Sequence, residues 1–94
     1  MTVVQIPIPL RRLTDGASRV EVSGATVARC LESLECRFPG VSPEIRDGSG
    51  DLLPSVNLYV NGEDVRYLSG LETPLVEGDE LAIVLAIAGG GGRF

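Results

Sequence analysis

The sequence predicts an α+β domain in which one helix crosses a single mixed sheet of about five strands. Three observations carry that reading. Only Val27 to Arg37 repeats its apolar residues at helical spacing, and the other ordered stretches are short, with period-two alternation or turn residues at their ends. The resulting order, β-β-α-β-β-β, also allows the first and last strands to lie side by side in the centre.

Thr2 to Leu10 forms the first strand, with Val4, Ile6 and Ile8 on one side of its alternation. Pro7 and Pro9 cannot donate to a ladder, so they belong at an edge, a bulge or the strand's end. After the turn Leu13-Thr14-Asp15-Gly16, Arg19 to Ser23 alternates as the second strand. In the helix, Val27, Cys30, Leu31 and Leu34, continued by Phe38, make one apolar face, while Arg29, Glu32, Ser33 and Glu35 lie away from it. Thr26 is placed to cap the first turn with its hydroxyl, and Pro39-Gly40 ends the helix. Val41 to Pro54 reads as a long acidic loop anchored by Ile45 and by Leu52 or Leu53. Val56 to Val60 is the third strand, closed by the hairpin turn Asn61-Gly62, and Val65 to Tyr67 the fourth. Leu71 to Leu75 crosses the domain, Glu77-Gly78-Asp79-Glu80 turns, and Leu81 to Ala88 is the last strand.

That last strand is apolar on both registers: Leu81, Ile83, Leu85 and Ile87 alternate with Ala82, Val84, Ala86 and Ala88. Two readings follow. Either both faces are packed core, as in strands buried on two sides, or the smaller set, joined by Tyr59, faces a protein partner.

Composition excludes several functions. At 94 residues the chain fits one domain. Its net charge of -5 repels a phosphate backbone, and two Tyr, two Phe and no Trp leave little surface for stacking bases, so nucleic acid is not an expected partner. His is absent, which removes His-assisted nucleophiles and the commonest metal ligand; no metal site is expected. All eight basic residues are Arg, so no lysine within the chain can accept an isopeptide bond. Cys30 and Cys36 lie about two-thirds of a helical turn apart in direction and read as reduced thiols, Cys30 partly buried and Cys36 more exposed, in a cytoplasmic compartment. The N-terminal stretch lacks a signal peptide's basic region, and no apolar run is long enough to span a bilayer.

Residues 1–88 are therefore assigned to the folded domain and 89–94 to a flexible tail. Gly89, Gly90, Gly91 and Gly92 have no Cβ and pass where a side chain would clash. The run reads either as a device that delivers a backbone carboxylate or as a plain linker.

Val56-Asn57-Leu58-Tyr59-Val60-Asn61-Gly62-Glu63-Asp64-Val65-Arg66, then Leu71-Glu72-Thr73-Pro74-Leu75 with Glu77-Gly78-Asp79-Glu80, and Ala86-Ile87-Ala88-Gly89-Gly90 together carry a resemblance. The chain resembles the ubiquitin-like sulfur carriers of the MoaD/ThiS superfamily, and within them the CysO-type branch. The resemblance implies a β-grasp fold and a protein co-substrate in place of an enzyme. It further implies that the terminal glycine carboxylate is adenylated by an E1-like partner using MgATP and converted to a thiocarboxylate, the sulfur donor for cysteine or related sulfur-amino-acid synthesis. No cofactor is expected on the chain itself, which has no Gly-rich phosphate loop with Lys. A PLP-dependent cysteine synthase is the sulfur acceptor that this branch suggests. Molybdopterin, thiamin and tRNA thiolation are the alternative destinations, and conjugation to target lysines or non-covalent binding the alternative functions.

The sequence departs from the family pattern after the first Gly-Gly, continuing Gly91-Gly92-Arg93-Phe94. Some relatives carry short extensions that a JAMM-type zinc metallopeptidase removes. The matching expectation is cleavage after Gly92, or alternatively after Gly90, with Arg93 and Phe94 as the removable cap. Tyr59, Ala82, Val84, Ala86 and Ala88 are the expected docking patch. Asp47, Asp51, Glu77, Asp79 and Glu80 make either an acidic docking face or ordinary solvated loops.

Overall fold

The computed structural model describes residues 1–86. Five strands, β1 (Thr2–Gln5), β2 (Arg19–Val22), β3 (Val56–Val60), β4 (Glu63–Asp64) and β5 (Glu80–Leu85), form one sheet in the order β2-β1-β5-β3-β4. β1 and β5 run parallel in the centre, and all other pairings are antiparallel. The helix α1 (Val27–Arg37) crosses one face, and the second helix, α2 (Ser42–Ile45), is a single turn. This is the β-grasp arrangement, with first and last strands adjacent.

Burial follows alternation. Val4, Val20, Val22, Leu58, Val60, Leu81 and Ile83 point from the sheet into the core, where Val27, Cys30, Leu31 and Leu34 of α1 meet them. The helix starts as its sequence dictates: Thr26 Oγ1 accepts the Arg29 N–H at 3.2 Å, satisfying one otherwise orphan donor. The crossing segment pins the same end, since Val27 N–H donates to Thr73 O (3.0 Å) and Leu75 N–H to Ala25 O (2.9 Å). Both helix and tail-bearing strand are thereby held to one core.

Several expectations need correction. The first strand stops at Gln5, and Ile8 is 75% exposed where alternation placed it inside. The chain leaves the sheet at Pro7 and turns into a 3-10 helix, Ile8–Leu13, with Pro9 in its first turn; Leu10 becomes the buried anchor. Val65–Tyr67 is a 3-10 turn, and the fourth strand is the preceding Glu63–Asp64. Here the Asp64 carboxylate accepts the Arg66 N–H at 2.8 Å, offering the backbone a local partner in place of a ladder. Within the expected loop, Ser42–Ile45 is helical and buries Ile45 completely, and Leu52 packs at the core's edge. Cys30 is fully buried where partial burial was expected, while Cys36 is exposed. The last strand runs from Glu80 to Leu85, one residue earlier than expected at its start; Ala86 lies beyond it, and positions 87 and 88 fall outside the described residues. Among the described residues no helix is long and apolar enough to cross a membrane.

Candidate functional site

The candidate site is the outer face of the sheet, opposite α1, together with the end of β5. One register row crosses all five strands: Arg19, Gln5, Ala82, Tyr59 and Asp64 lie side by side. A second pairing sets Val84 beside Asn57. Register partners share a face, so Tyr59, Ala82 and Val84 of the expected patch do come together. Tyr59 and Ala82 are half-buried, whereas Val84 is 41% exposed; plain core packing does not describe this face. Ala86 is exposed just beyond β5, with its N–H donated to Ser55 O at 2.7 Å. Ala88, Gly89, Gly90, Gly91, Gly92, Arg93 and Phe94 lie outside the described residues.

Two turns are clasped where β5 begins. Asn61 and Gly62 take left-handed backbone angles, φ 50° and 86°, which the two-residue hairpin between β3 and β4 requires. Asn61 donates its side-chain amide to Asp79 Oδ1 (3.1 Å), accepts the Glu80 N–H on Oδ1 (3.0 Å), and donates its own N–H to Glu80 O (2.9 Å). Asp79 in turn accepts the Val76 N–H at 2.8 Å. That backbone donor, followed by the Asn61 amide, holds the Asp79 carboxyl below the usual carboxylate range. Glu80 is held low by Arg19, whose guanidinium lies at 3.1 Å, and by the Gln5 amide at 2.6 Å. Both residues are thus committed to positioning β5.

The five acidic residues considered as a docking face belong to two separate turns. Glu77 pairs with the N-terminal ammonium at 2.5 Å, and Asp79 and Glu80 serve the clasp. Asp47 instead closes its own loop, accepting the Ser49 and Asp51 N–H groups at 2.8 and 3.1 Å. Burial pushes the Cys30 thiol upward, against a smaller contrary effect from a hydrogen bond with Thr2. Its Sγ donates to Gly24 O at 3.6 Å. A buried thiol of this kind is packing, not chemistry.

Sequence reasoning missed the polar flank of the patch, Gln5, Glu80 and Arg19 beside Ala82. Period two marks Gln5 and Arg19 as outward-facing, but only the parallel register of β1 with β5 brings them to Glu80.

Residues 4–90 match the model of the ThiS family. The sulfur carrier protein CysO of Mycobacterium tuberculosis is 43% identical over 89 residues, covering 93% of this chain and 96% of that protein. The Amycolatopsis orientalis protein in the crystal structure of a BexX/CysO complex superposes with a TM-score of 0.86 at 39% identity, over 98% of this chain and 100% of that one. The small archaeal modifier protein 1 of Methanosarcina acetivorans also reaches a TM-score of 0.86, at 30% identity, over 97% of this chain and 95% of its own.

Proposed function

Because the chain belongs to the ThiS family, we propose that it is a sulfur carrier of the CysO type, a co-substrate whose terminal glycine carries sulfur toward cysteine or a related sulfur amino acid. The observation that carries this reading is the extent of the likeness. The family match runs through the clasped turns and β5 into Gly89 and Gly90, so the likeness includes the first two glycines of the tail as well as the globular domain.

The chemistry follows from what a carboxylate lacks. It is a weak acyl electrophile, and attack of its oxygen on the α-phosphorus of MgATP, with release of pyrophosphate, converts it to an acyl adenylate. A sulfide or persulfide sulfur then attacks the carbonyl and expels AMP; from a persulfide, a second thiolate attacks the far sulfur of the resulting acyl disulfide, forming a new disulfide and releasing the thiocarboxylate. The chain supplies the carboxylate and its presentation, while an E1-like partner supplies the nucleotide site. The tail follows β5 in sequence, and glycines let it enter a channel that a Cβ would obstruct. Tyr59, Ala82, Val84 and Ala86 form the face on which that partner docks, and the exposure of Val84 supports it; Ala88, the remaining residue of the expected patch, lies outside the described residues. A PLP-dependent synthase fits as the acceptor.

Arg93 and Phe94 require removal before activation, by a JAMM-type zinc metallopeptidase that leaves Gly92 as the end. A second terminus, Gly90, is favoured by the close of the family match at that residue. Intact mass after incubation with such a peptidase decides between them: loss of two residues supports Gly92, loss of four supports Gly90, and an unchanged mass contradicts processing. Conjugation to lysines of other proteins is a second reading, favoured by the likeness to a small archaeal modifier protein. It predicts larger covalent adducts that disappear when the terminal glycine is deleted.

A further inference from the structure

The central strand β5 is flanked on both sides only over its first part. Val3 N–H donates to Asp79 O at 3.2 Å, and the register pairs Val3 with Glu80, Val4 with Leu81 and Gln5 with Ala82. Alternate residues of a strand aim their N–H and C=O groups to the same side. The donors of β1 toward β5 are therefore Val3, Gln5 and, next, position 7. That position is Pro7, which has no N–H. Ile6 turns the other way, donating to Ser18 O at 2.8 Å. The ladder ends there, although β5 continues against β3 as far as Leu85.

On the β3 side, Ala86 N–H bonds to Ser55 O and Glu80 O receives the Asn61 N–H. The same alternation aims Ile83 C=O and Leu85 N–H to the β1 side. No described backbone group there receives them. A cavity of about 540 Å³ occupies this place, between the end of β5 and the turn after Pro7. Ile8 and Val84 give it apolar walls, and both are exposed. In a chain of net charge -5, its lining includes Arg11 and Arg19 and no carboxylate, although Arg19 is paired with Glu80 just outside the lining. Among the described residues Arg11 makes no ion pair; its Nε donates to Ile6 O at 3.0 Å.

We propose that this groove accepts an extended segment of a protein partner, apolar on one face and acidic on the other, which adds to the sheet as a strand along Ile83 to Leu85. Backbone pairing supplies attachment, and Arg11, which makes no ion pair among the described residues, selects an acidic segment over a basic one. A segment seated there lies beside the strand that leads to Gly89. Its use in sulfur transfer rests on the proposed function, but the groove's binding property does not depend on the fate of the terminal carboxylate.

The test uses the full ¹⁵N-labelled chain and a capped peptide of alternating valine and glutamate, with the valine–lysine counterpart as comparison. In the free chain the Leu85 amide should exchange with solvent at least about tenfold faster than the bonded Ala86 amide. The valine–glutamate peptide should slow Leu85 by about tenfold or more, and the valine–lysine peptide should have far less effect. Ile8→Glu should abolish the response, while Val76→Glu, at a residue that is exposed but outside the groove, should leave it intact. The proposal is overturned if Leu85 is already as protected as Ala86, if the acidic peptide leaves its exchange unchanged, or if the basic peptide works equally well. Failure to form a thiocarboxylate would count against the sulfur-carrier reading and leave these exchange results standing.

Discussion

Gly24 shows how one missing side chain sets the position of the helix. A Cβ at this position would come within 2.5 Å of Cys30 N and 2.8 Å of Arg29 C, both backbone atoms of α1. Gly24→Ala must push the helix from the sheet, and overpacking of this kind costs about 1–3 kcal/mol. Urea denaturation should show that loss, and an unchanged midpoint would contradict the close approach. Titration acts on single residues too. Asp64, Asp79 and Glu80 have carboxyls held low by Arg66, by the Val76 N–H, and by Arg19 respectively. As pH falls below about 4, the unfolded chain takes up protons before these native carboxylates do, so stability decreases. Cys30 works in the opposite direction: its raised native pKa means that the unfolded thiol ionises first, and stability decreases as pH rises past about 8.5. Thermal melts across pH should therefore fall away at both extremes, and the alkaline decline should vanish in Cys30→Ala once that variant's own packing loss is subtracted.

At the scale of elements, the clasp between the Asn61-Gly62 turn and β5 makes the clearest claim. Asn61→Ala removes two side-chain hydrogen bonds, to Asp79 and from the Glu80 N–H, and loses the residue best suited to a left-handed turn. A loss of about 1–2 kcal/mol is expected by denaturant titration, with exchange protection lost first at Glu80. A stability equal to the parent's would show that β5 is held by its ladders alone. This turn was legible in the sequence because Asn-Gly between alternating runs is a local signal. The cap at Thr26 and the apolar face of α1 were legible for the same reason. What escaped was decided by competition between partners. Pro7 ended the first strand although the apolar alternation continued to Ile8, because period two reports which way side chains point and says nothing of whether a ladder has a donor. Val65 to Tyr67 looked like a strand by residue type, but the Asp64 carboxylate captured its backbone. Ser42–Ile45 was hidden by flanking turn residues, and burial of Ile45 outweighed them.

The molecule as a whole separates a packed domain from the residues that would carry its chemistry. Five strands and a crossing helix hold β5 at the centre of the sheet, while the residues that would carry sulfur follow it in sequence as Gly89 to Gly92. The proposed docking face was partly legible as a surface: alternation named Ala82 and Val84, but only the register placed Tyr59 beside Ala82 and brought Gln5, Arg19 and Glu80 to the same face. The chemistry itself was visible only through resemblance, since a glycine run has no side chain whose spacing reports a reaction. The most direct test incubates chain ending at Gly92, and separately chain ending at Gly90, with the E1-like enzyme, MgATP and sulfide, and reads intact mass. The sulfur-carrier account predicts that at least one gains the mass difference of sulfur replacing one oxygen, and that chain lacking all four glycines does not. Equal conversion of the chain without glycines, or no conversion of either trimmed form by an enzyme that charges a CysO protein under the same conditions, would contradict it.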